Sequence, residues 1–246
     1  VYILLTREER DSLDVAKVLL ERYRIPTIVS PLFTIDHVDT DFPKDILCRC
    51  EGLIFTSSHA VRHFDHTIRS DLHQKPVFCV GEKTARIASI CGYSNVLLPW
   101  DNISAMQSDI LNIYGKMYAN NLVYIRGVHV SIDIEEWLTA YDISVYSHIV
   151  YNARAVSCMS DNIRDMLLNG GICGVMLYSV RSSLHFISLF SYKEIQLFSK
   201  TCIIAISHRV MKVARDAGFE NILVADKSTG EHMLEAASMV WWRADP

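Results

Sequence analysis

The chain has 246 residues, half of them hydrophobic and 21% charged, with a formal net charge of −4. That length lies where a single core stops growing and chains divide into domains, and the charge balance offers no electrostatic case for nucleic acid. No segment approaches the ~18 uninterrupted apolar residues of a membrane span, and no basic stretch followed by an apolar run marks a secretory signal.

From end to end, short β-branched runs alternate with segments of helical period. The first predicted strand is Tyr2–Thr6, followed by an amphipathic helix whose apolar stripe reads Leu13, Ala16, Leu20 and Tyr23. Further strands are predicted at Thr27–Ser30, Leu53–Thr56, Val77–Val80 and Val96–Leu98. The series continues with Leu122–Ile125, Ser144–Val150, Val175–Tyr178, Cys202–Ile206 and Ile222–Val224. Such alternation argues for parallel sheets crossed by helices on both faces. Capping-box patterns at Ser104-x-x-Gln107 and Ser228-x-x-Glu231 each predict a helix start.

The same chemistry occurs twice. Gly52-Leu-Ile-Phe-Thr-Ser57 returns as Gly174-Val-Met-Leu-Tyr-Ser179, an offset of 122. The segment from Val80 to Leu98 returns as Ile206 to Val224 at an offset of 126. Ile3–Arg7 returns as Leu122–Arg126, and Thr27 maps onto Val145 at an offset of 118. The copies stand in permuted order, so one domain is inserted into the other. The expected fold is α/β: two flavodoxin-like, doubly wound, parallel five-stranded domains joined by a two-stranded linker. Residues 1–33 with 154–246 form the discontinuous domain, and residues 36–149 the inserted one. The chain should cross near Leu32–Asp36 and Ile149–Arg154. Two lobes joined in this way are expected to leave a cleft, the usual place for a ligand.

In open α/β sheets, ligands bind beyond the carboxyl ends of the strands. The residues there include Arg7, Thr56, Ser57, Ser58, Thr84, Arg126, Tyr151, Ser179, Ser182 and Ser207. Hydroxyls and helix-start N–H groups suit carboxylate or phosphate, although each Ser or Thr is first of all an N-cap. Signatures for dinucleotides, P-loops and serine nucleophiles are missing. Seven cysteines, an odd number set mostly in apolar runs, read as reduced thiols of the cytoplasm. Cys48-x-Cys50 has the wrong spacing for zinc, and His59, His63 and His66 at i, i+4 and i+7 read as a polar helix face rather than a metal site. From the residues alone, this is a two-lobed protein that grips a small polyanion.

The segments Ile3–Arg7, Gly52–Val61, Val80–Tyr93, Tyr124–Gly127, His148–Ala153 and Ala205–Phe219 together resemble uroporphyrinogen-III synthase, over essentially the whole chain. That resemblance implies a lyase of haem biosynthesis. It takes linear hydroxymethylbilane, removes water and closes the macrocycle with ring D inverted. It also implies that no metal or organic cofactor takes part. Tyr151 becomes the catalytic donor to the departing hydroxyl, and the other nine residues above become substrate-binding groups. The implied protein is a cytoplasmic monomer with a polyanionic tetrapyrrole substrate, received from the preceding enzyme of the pathway, and without nucleic-acid or membrane partners.

Two departures stand out. The family's Gly-Pro-x-Thr-Ala turn reads Ser207-His208-Arg209-Val210-Met211, so Thr84 has Val210 as its counterpart. The Ser-Pro-Ser-Ala turn reads Ser179-Val180-Arg181-Ser182-Ser183, keeping its serines and losing the proline. The alternative reading is a non-enzymatic two-lobed protein that binds a small anion, and a third is a family member without activity.

Overall fold

A computed structural model of the chain describes residues 1–64, 72–97, 100, 103–114, 121–130 and 133–244. The strands are, in chain order, β1 (Tyr2–Leu5), β2 (Thr27–Val29), β3 (Phe33–His37), β4 (Gly52–Phe55) and β5 (Val77–Cys79). They continue as β6 (Asn121–Gly127), β7 (Ser144–Ala155), β8 (Ile172–Leu177), β9 (Cys202–Ala205) and β10 (Ile222–Val224). The described helices begin with α1 (Glu9–Tyr23), α2 (Lys44–Arg49), α3 (Ser58–His63), α4 (Glu82–Ile90), α5 (Ile103–Tyr114) and α6 (Ile134–Thr139). Then follow α7 (Asp161–Leu168), α8 (Val180–Ser188), α9 (Tyr192–Leu197), α10 (His208–Asp216) and α11 (Gly230–Ala244). The fold is mixed α/β, built on parallel sheets.

The chain divides into two compact units. The discontinuous unit is Val1–Thr34 with Arg154–Pro246, and the inserted unit is Ile35–Ala153. The chain leaves the first within β3 and returns to it within β7.

In the discontinuous unit the sheet order is β10-β9-β8-β1-β2, with every pair parallel. Successive strand residues point to opposite faces, and both faces are apolar here. Leu4, Val175, Leu177, Ile203 and Ala205 pack with α7 to α10 through Leu167, Phe186, Ile195 and Val210. Ile3, Leu5, Met176 and Ile204 face the other way, onto Leu19 of α1 and Met233, Ala237 and Trp241 of α11.

The sheet of the inserted unit runs β3-β7-β6-β4-β5. Leu53, Phe55, Val77, Val123 and Ile125 pack with Ala60 and Val61 of α3 and Ala88 of α4. Ile54, Phe78, Leu122 and Tyr124 pack with Met106 and Ile110 of α5 and Leu138 of α6. The Val38 N–H donates to the Val150 carbonyl, while near the strand ends the Val156 N–H donates to the Leu32 carbonyl. These pairs run in opposite directions along the sequence, so β3 lies antiparallel to β7.

The repeat is visible at the level of single hydrogen bonds. After α4, Gly92 takes φ +96 and the Tyr93 N–H reaches back to Ala88 O. After α10, Gly218 takes φ +100 and the Phe219 N–H reaches Ala214 O. Both glycines are needed because L side chains rarely adopt that backbone conformation. Each turn then feeds a strand start: the Val77 N–H donates to Asn95 O, and the Ile203 N–H to Asn221 O, both at 2.9 Å.

Three local expectations are corrected. On α1, Leu13 and Leu20 are each 54% exposed, and the face turned inward is Ser12, Val15, Ala16, Leu19 and Tyr23. This stripe also has helical spacing, and it is the one that lies over the sheet. The segment Val96–Leu98 is not a regular strand among the described residues. Val96 and Trp100 make only isolated bridges to Val77 and Val80, and Leu98 lies outside the described residues. The capping-box expectations differ as well. Ser104 lies inside α5, and before α11 it is Thr229 whose hydroxyl accepts the His232 N–H, while Ser228 Oγ donates to Ile206 O.

Candidate functional site

In the inserted unit, the expected site residues follow the carboxyl ends of β4 and β5, stand near the end of β6 and lie on β7. Ser57 caps α3, its Oγ accepting the His59 N–H at 3.2 Å. Ser58 opens the helix and is buried. Thr56 Oγ1 lies 2.9 Å from the hydroxyl of Tyr124. Burial pushes the Tyr124 phenol upward, and the bond to Thr56 opposes that shift. Thr84 is buried in the first turn of α4, where its N–H donates to Gly81 O. Arg126 turns back on the chain, Nη1 donating to the carbonyls of Gly127 and Val128 at 3.1 and 3.3 Å.

Tyr151 sits opposite Gly127 in the β6–β7 ladder, just past a register irregularity between Arg126 and Gly127. Its ring covers the glycine so closely that a Cβ there would lie 2.6 Å from Tyr151 Cζ. Only glycine leaves room for the ring in this position. His59 and His63, one turn apart on α3, flank it with ring centroids at 5.7 and 6.1 Å. The half-buried phenol therefore has its ring fixed by packing from the backbone of one strand and two side chains of a helix. His66 lies outside the described residues. Beside His63 is a cavity of about 390 Å3 lined by His37, Thr40, Arg62, Phe64 and His148. Burial lowers the pKa of His148.

The discontinuous unit presents a different set. Arg7 Nη2 pairs with the buried carboxylate of Asp11 at 2.6 Å, and its guanidinium lies over the ring of Tyr178 at 4.8 Å. Burial pushes the Tyr178 hydroxyl up to about 12. Ser179 and Ser182 form a reciprocal capping box at the start of α8, with their hydroxyls 2.9 Å apart. Both hydroxyls are thus engaged in holding the helix terminus. Ser207 stands at the N-cap of α10 without a side-chain cap bond. Val210, the counterpart of Thr84, is 1% exposed within the apolar core.

The structure thus joins Arg7 to the Ser179 turn through Tyr178 and joins Ser179 to Ser182, whereas Ser207 bonds to neither. Around Tyr151 it adds Gly127, His59 and His63, and it adds Tyr124 beside Thr56. From sequence, His59 and His63 were read as a polar helix face rather than a metal site, and Gly127 and Tyr124 were not candidate site residues. Their signal was that His59, Tyr124 and Gly127 lie in the segments Gly52–Val61 and Tyr124–Gly127 that carry the resemblance, with His63 one turn after His59. No described helix is long and apolar enough to cross a membrane.

The family model for uroporphyrinogen-III synthase HemD matches residues 14–235 of this chain. Among curated proteins, no sequence matches. Among solved structures, uroporphyrinogen-III synthetase from Helicobacter pylori is similar with a TM-score of 0.66 at 15% identity, covering 97% of this chain and 99% of that one. A mutant uroporphyrinogen III synthase from the extremely thermophilic bacterium Thermus thermophilus is similar with a TM-score of 0.57 at 12% identity, covering 99% and 100%. At such identities, these likenesses speak for the fold.

Proposed function

The chain belongs to the uroporphyrinogen-III synthase family, and from that premise we propose which of its groups carry the family's reaction. The reaction is the cyclisation of hydroxymethylbilane to uroporphyrinogen III, with loss of water and inversion of ring D, in haem biosynthesis. We read each unit as a flavodoxin-like domain, because the order β2-β1-β8-β9-β10 is the flavodoxin order. The order β7-β6-β4-β5 repeats it in permuted form, with β3 added at the edge.

Tyr151 is the proposed catalytic donor. The electron-rich pyrrole expels hydroxide readily once the leaving oxygen receives a hydrogen bond or proton, and a phenol can supply it. The hydroxyl departs as water and leaves an azafulvene. Ring D is then attacked at its substituted carbon, and the resulting spiro intermediate rearranges to the inverted ring. Most of the protein's contribution is positioning: the bilane must be held so that the substituted carbon is the one within reach.

Hydroxymethylbilane carries eight carboxylates. For these we assign the strand-end donors Thr56, Ser57, Ser58, Thr84 and Arg126 of the inserted unit, and Arg7, Ser179, Ser182 and Ser207 of the discontinuous one. Arginine offers paired N–H donors to a carboxylate, and the helix starts add N–H dipoles. No metal or organic cofactor enters this scheme. A monomer in the cytoplasm that receives bilane from the preceding enzyme completes it, consistent with seven cysteines all present as free thiols.

The observation that carries the assignment is the seating of Tyr151 on Gly127 between two imidazoles. The direct test supplies freshly made hydroxymethylbilane to the purified protein, without added metal, and resolves the oxidised products into type I and type III isomers. Type III product is expected. Type I alone, at the rate seen in buffer, would leave a binding protein for small anions in place of an enzyme.

A further inference from the structure

In the discontinuous unit, the expected anion-binding groups all follow the carboxyl ends of the strands. A separate cavity of about 410 Å3 lies at the other end of the same sheet, where β8, β9 and β10 begin. Its walls include Leu167, Leu168, Ile172, Phe198 and Val240, drawn from α7, β8, the end of α9 and α11. Cys202 is on its surface with a thiol pushed up to about 11 by burial, so the floor is poorly solvated. The volume and the apolar lining are those of a small-molecule site.

Two cations, Lys200 and Arg243, also line this cavity, and no carboxylate side chain does so among its described lining residues. The Arg243 charge is close enough to the floor to act on Cys202, favouring its thiolate against the effect of burial. Neither cation is in any described ion pair. A largely apolar chamber with positive charge and, among its described lining residues, no carboxylate side chain complements a molecule of the opposite construction. We propose that this amino-end cavity binds a small amphipathic carboxylate, its hydrocarbon part against Leu167, Ile172, Phe198 and Val240 and its carboxylate on Lys200 and Arg243.

The ligand class differs from the bilane in kind. A bilane spreads many carboxylates along its length, whereas one apolar chamber with one cationic rim accepts a single charged end. The site also shares no residue with the proposed catalytic set, so its test is independent of that reading.

Octanoate is a suitable probe, with octanol as its neutral counterpart. Titration calorimetry on the full chain should show one octanoate site, and octanol should bind at least about tenfold more weakly, the scale of a lost hydrogen bond to a charged group. Cys173, a half-buried cysteine outside any disulfide, is on the lining and provides location. Octanoate should slow its alkylation by iodoacetamide and leave that of exposed Cys158 unchanged, read peptide by peptide. The double variant Lys200→Gln/Arg243→Gln should lose both effects, as should Ala244→Trp, which places an indole in the mouth from an exposed helix end. Turnover of hydroxymethylbilane should be unaltered in both variants. Equal binding of octanoate and octanol would remove the role of the cations. Octanoate binding that persists in both variants, or leaves Cys173 unprotected, would overturn the assignment of the cavity.

Discussion

Tyr151 and Phe33 occupy equivalent places in the two units, related by the same offset of 118 that maps Thr27 onto Val145. Tyr151 lies between His59 and His63. Phe33 lies between Arg181, 4.4 Å from its ring, and His185 at 5.2 Å. Arg181 and His185 are themselves the counterparts of His59 and His63, at an offset of 122. Both units therefore build one aromatic side chain against the first turns of the equivalent helix. The packing is duplicated and the hydroxyl is not. What has diverged is the polar atom, which is where a function would be added to a scaffold that already folds.

The largest expected effect removes that difference. Tyr151→Phe gives the inserted unit the residue its counterpart already carries, so the fold should be kept. If the phenol assists departure of the hydroxyl, kcat should fall by about 10²–10³, in the range of general-acid catalysis. KM should change far less, because the carboxylates are held elsewhere. The share of type I product should rise as slowly released bilane cyclises in solution. Phe33→Tyr is the control and should leave turnover in place. A Tyr151→Phe enzyme with normal kcat and pure type III product would reduce Tyr151 to a packing residue.

The strand-end turns give the second contrast. Gly81 and Ser207 are counterparts at an offset of 126, but Gly81 holds φ +82 while Ser207 is extended at φ −158. A Cβ on Gly81 would meet nothing within 4 Å, so Gly81→Ala isolates the backbone cost. It should lower the stability of the inserted unit by about 1–3 kcal/mol. Ser207→Ala should cost well under the ~1 kcal/mol typical of a lost N-cap, since no cap bond is there to lose. Chemical denaturation of the two variants separates these outcomes. Equal losses would mean that the turns are held alike.

The parts legible in the sequence were those with a repeating period or a repeated motif. Parallel α/β organisation followed from β-branched runs, and the repeat put Gly92 and Gly218 in step without marking them as helix ends. The packing face of α1 was misread because two stripes with helical spacing compete, and only the sheet beneath decides between them. The crossing near Leu32–Asp36, expected as part of a two-stranded linker, lies in strand β3, and its partner β7 is more than a hundred residues away. The hydroxyl positions of the candidate site were legible, but their environments were not. That Ser179 and Ser182 spend their hydroxyls on each other, or that Tyr151 needs a glycine beneath it, depends on side-chain packing across elements distant in sequence.

Acid should distinguish the units next. Burial among Phe42, Phe64 and Tyr146 lowers the pKa of His148 in the inserted unit. Its folded pKa lies below the ordinary 6.5, so the stability it contributes is full above that pH and is lost as pH falls toward the folded pKa. In the discontinuous unit, hydrogen bonds from Ser191, with Arg164 adding to them, hold the Glu194 carboxyl at about 2. That contribution is full above the ordinary 4.5 and is lost only as pH falls toward 2. Hydrogen exchange at pH 7 and pH 5.5, corrected for intrinsic rates, should show β7 and its neighbours losing protection while β8 and β9 keep theirs. His148→Phe should remove this dependence. Loss of protection in both sheets together would assign the acid response to something other than His148.

The smallest effect concerns Thr84 and Val210. Both are buried in the first turn of the equivalent helix, at 5% and 1% exposure, so the position accepts either shape. Thr84→Val therefore gives the inserted unit the side chain that the discontinuous unit already carries, and folding should be preserved. If the Thr84 hydroxyl touches a substrate carboxylate, losing that one hydrogen bond costs about 0.5–1.5 kcal/mol. A contact made equally in the ground and transition states then raises KM by about 2- to 10-fold with kcat unchanged. A fall in kcat at constant KM would place the hydroxyl instead at the reacting ring. Unchanged kinetics would leave Thr84 a helix residue like Val210, and the carboxylates would rest on the arginines and the helix-start N–H groups.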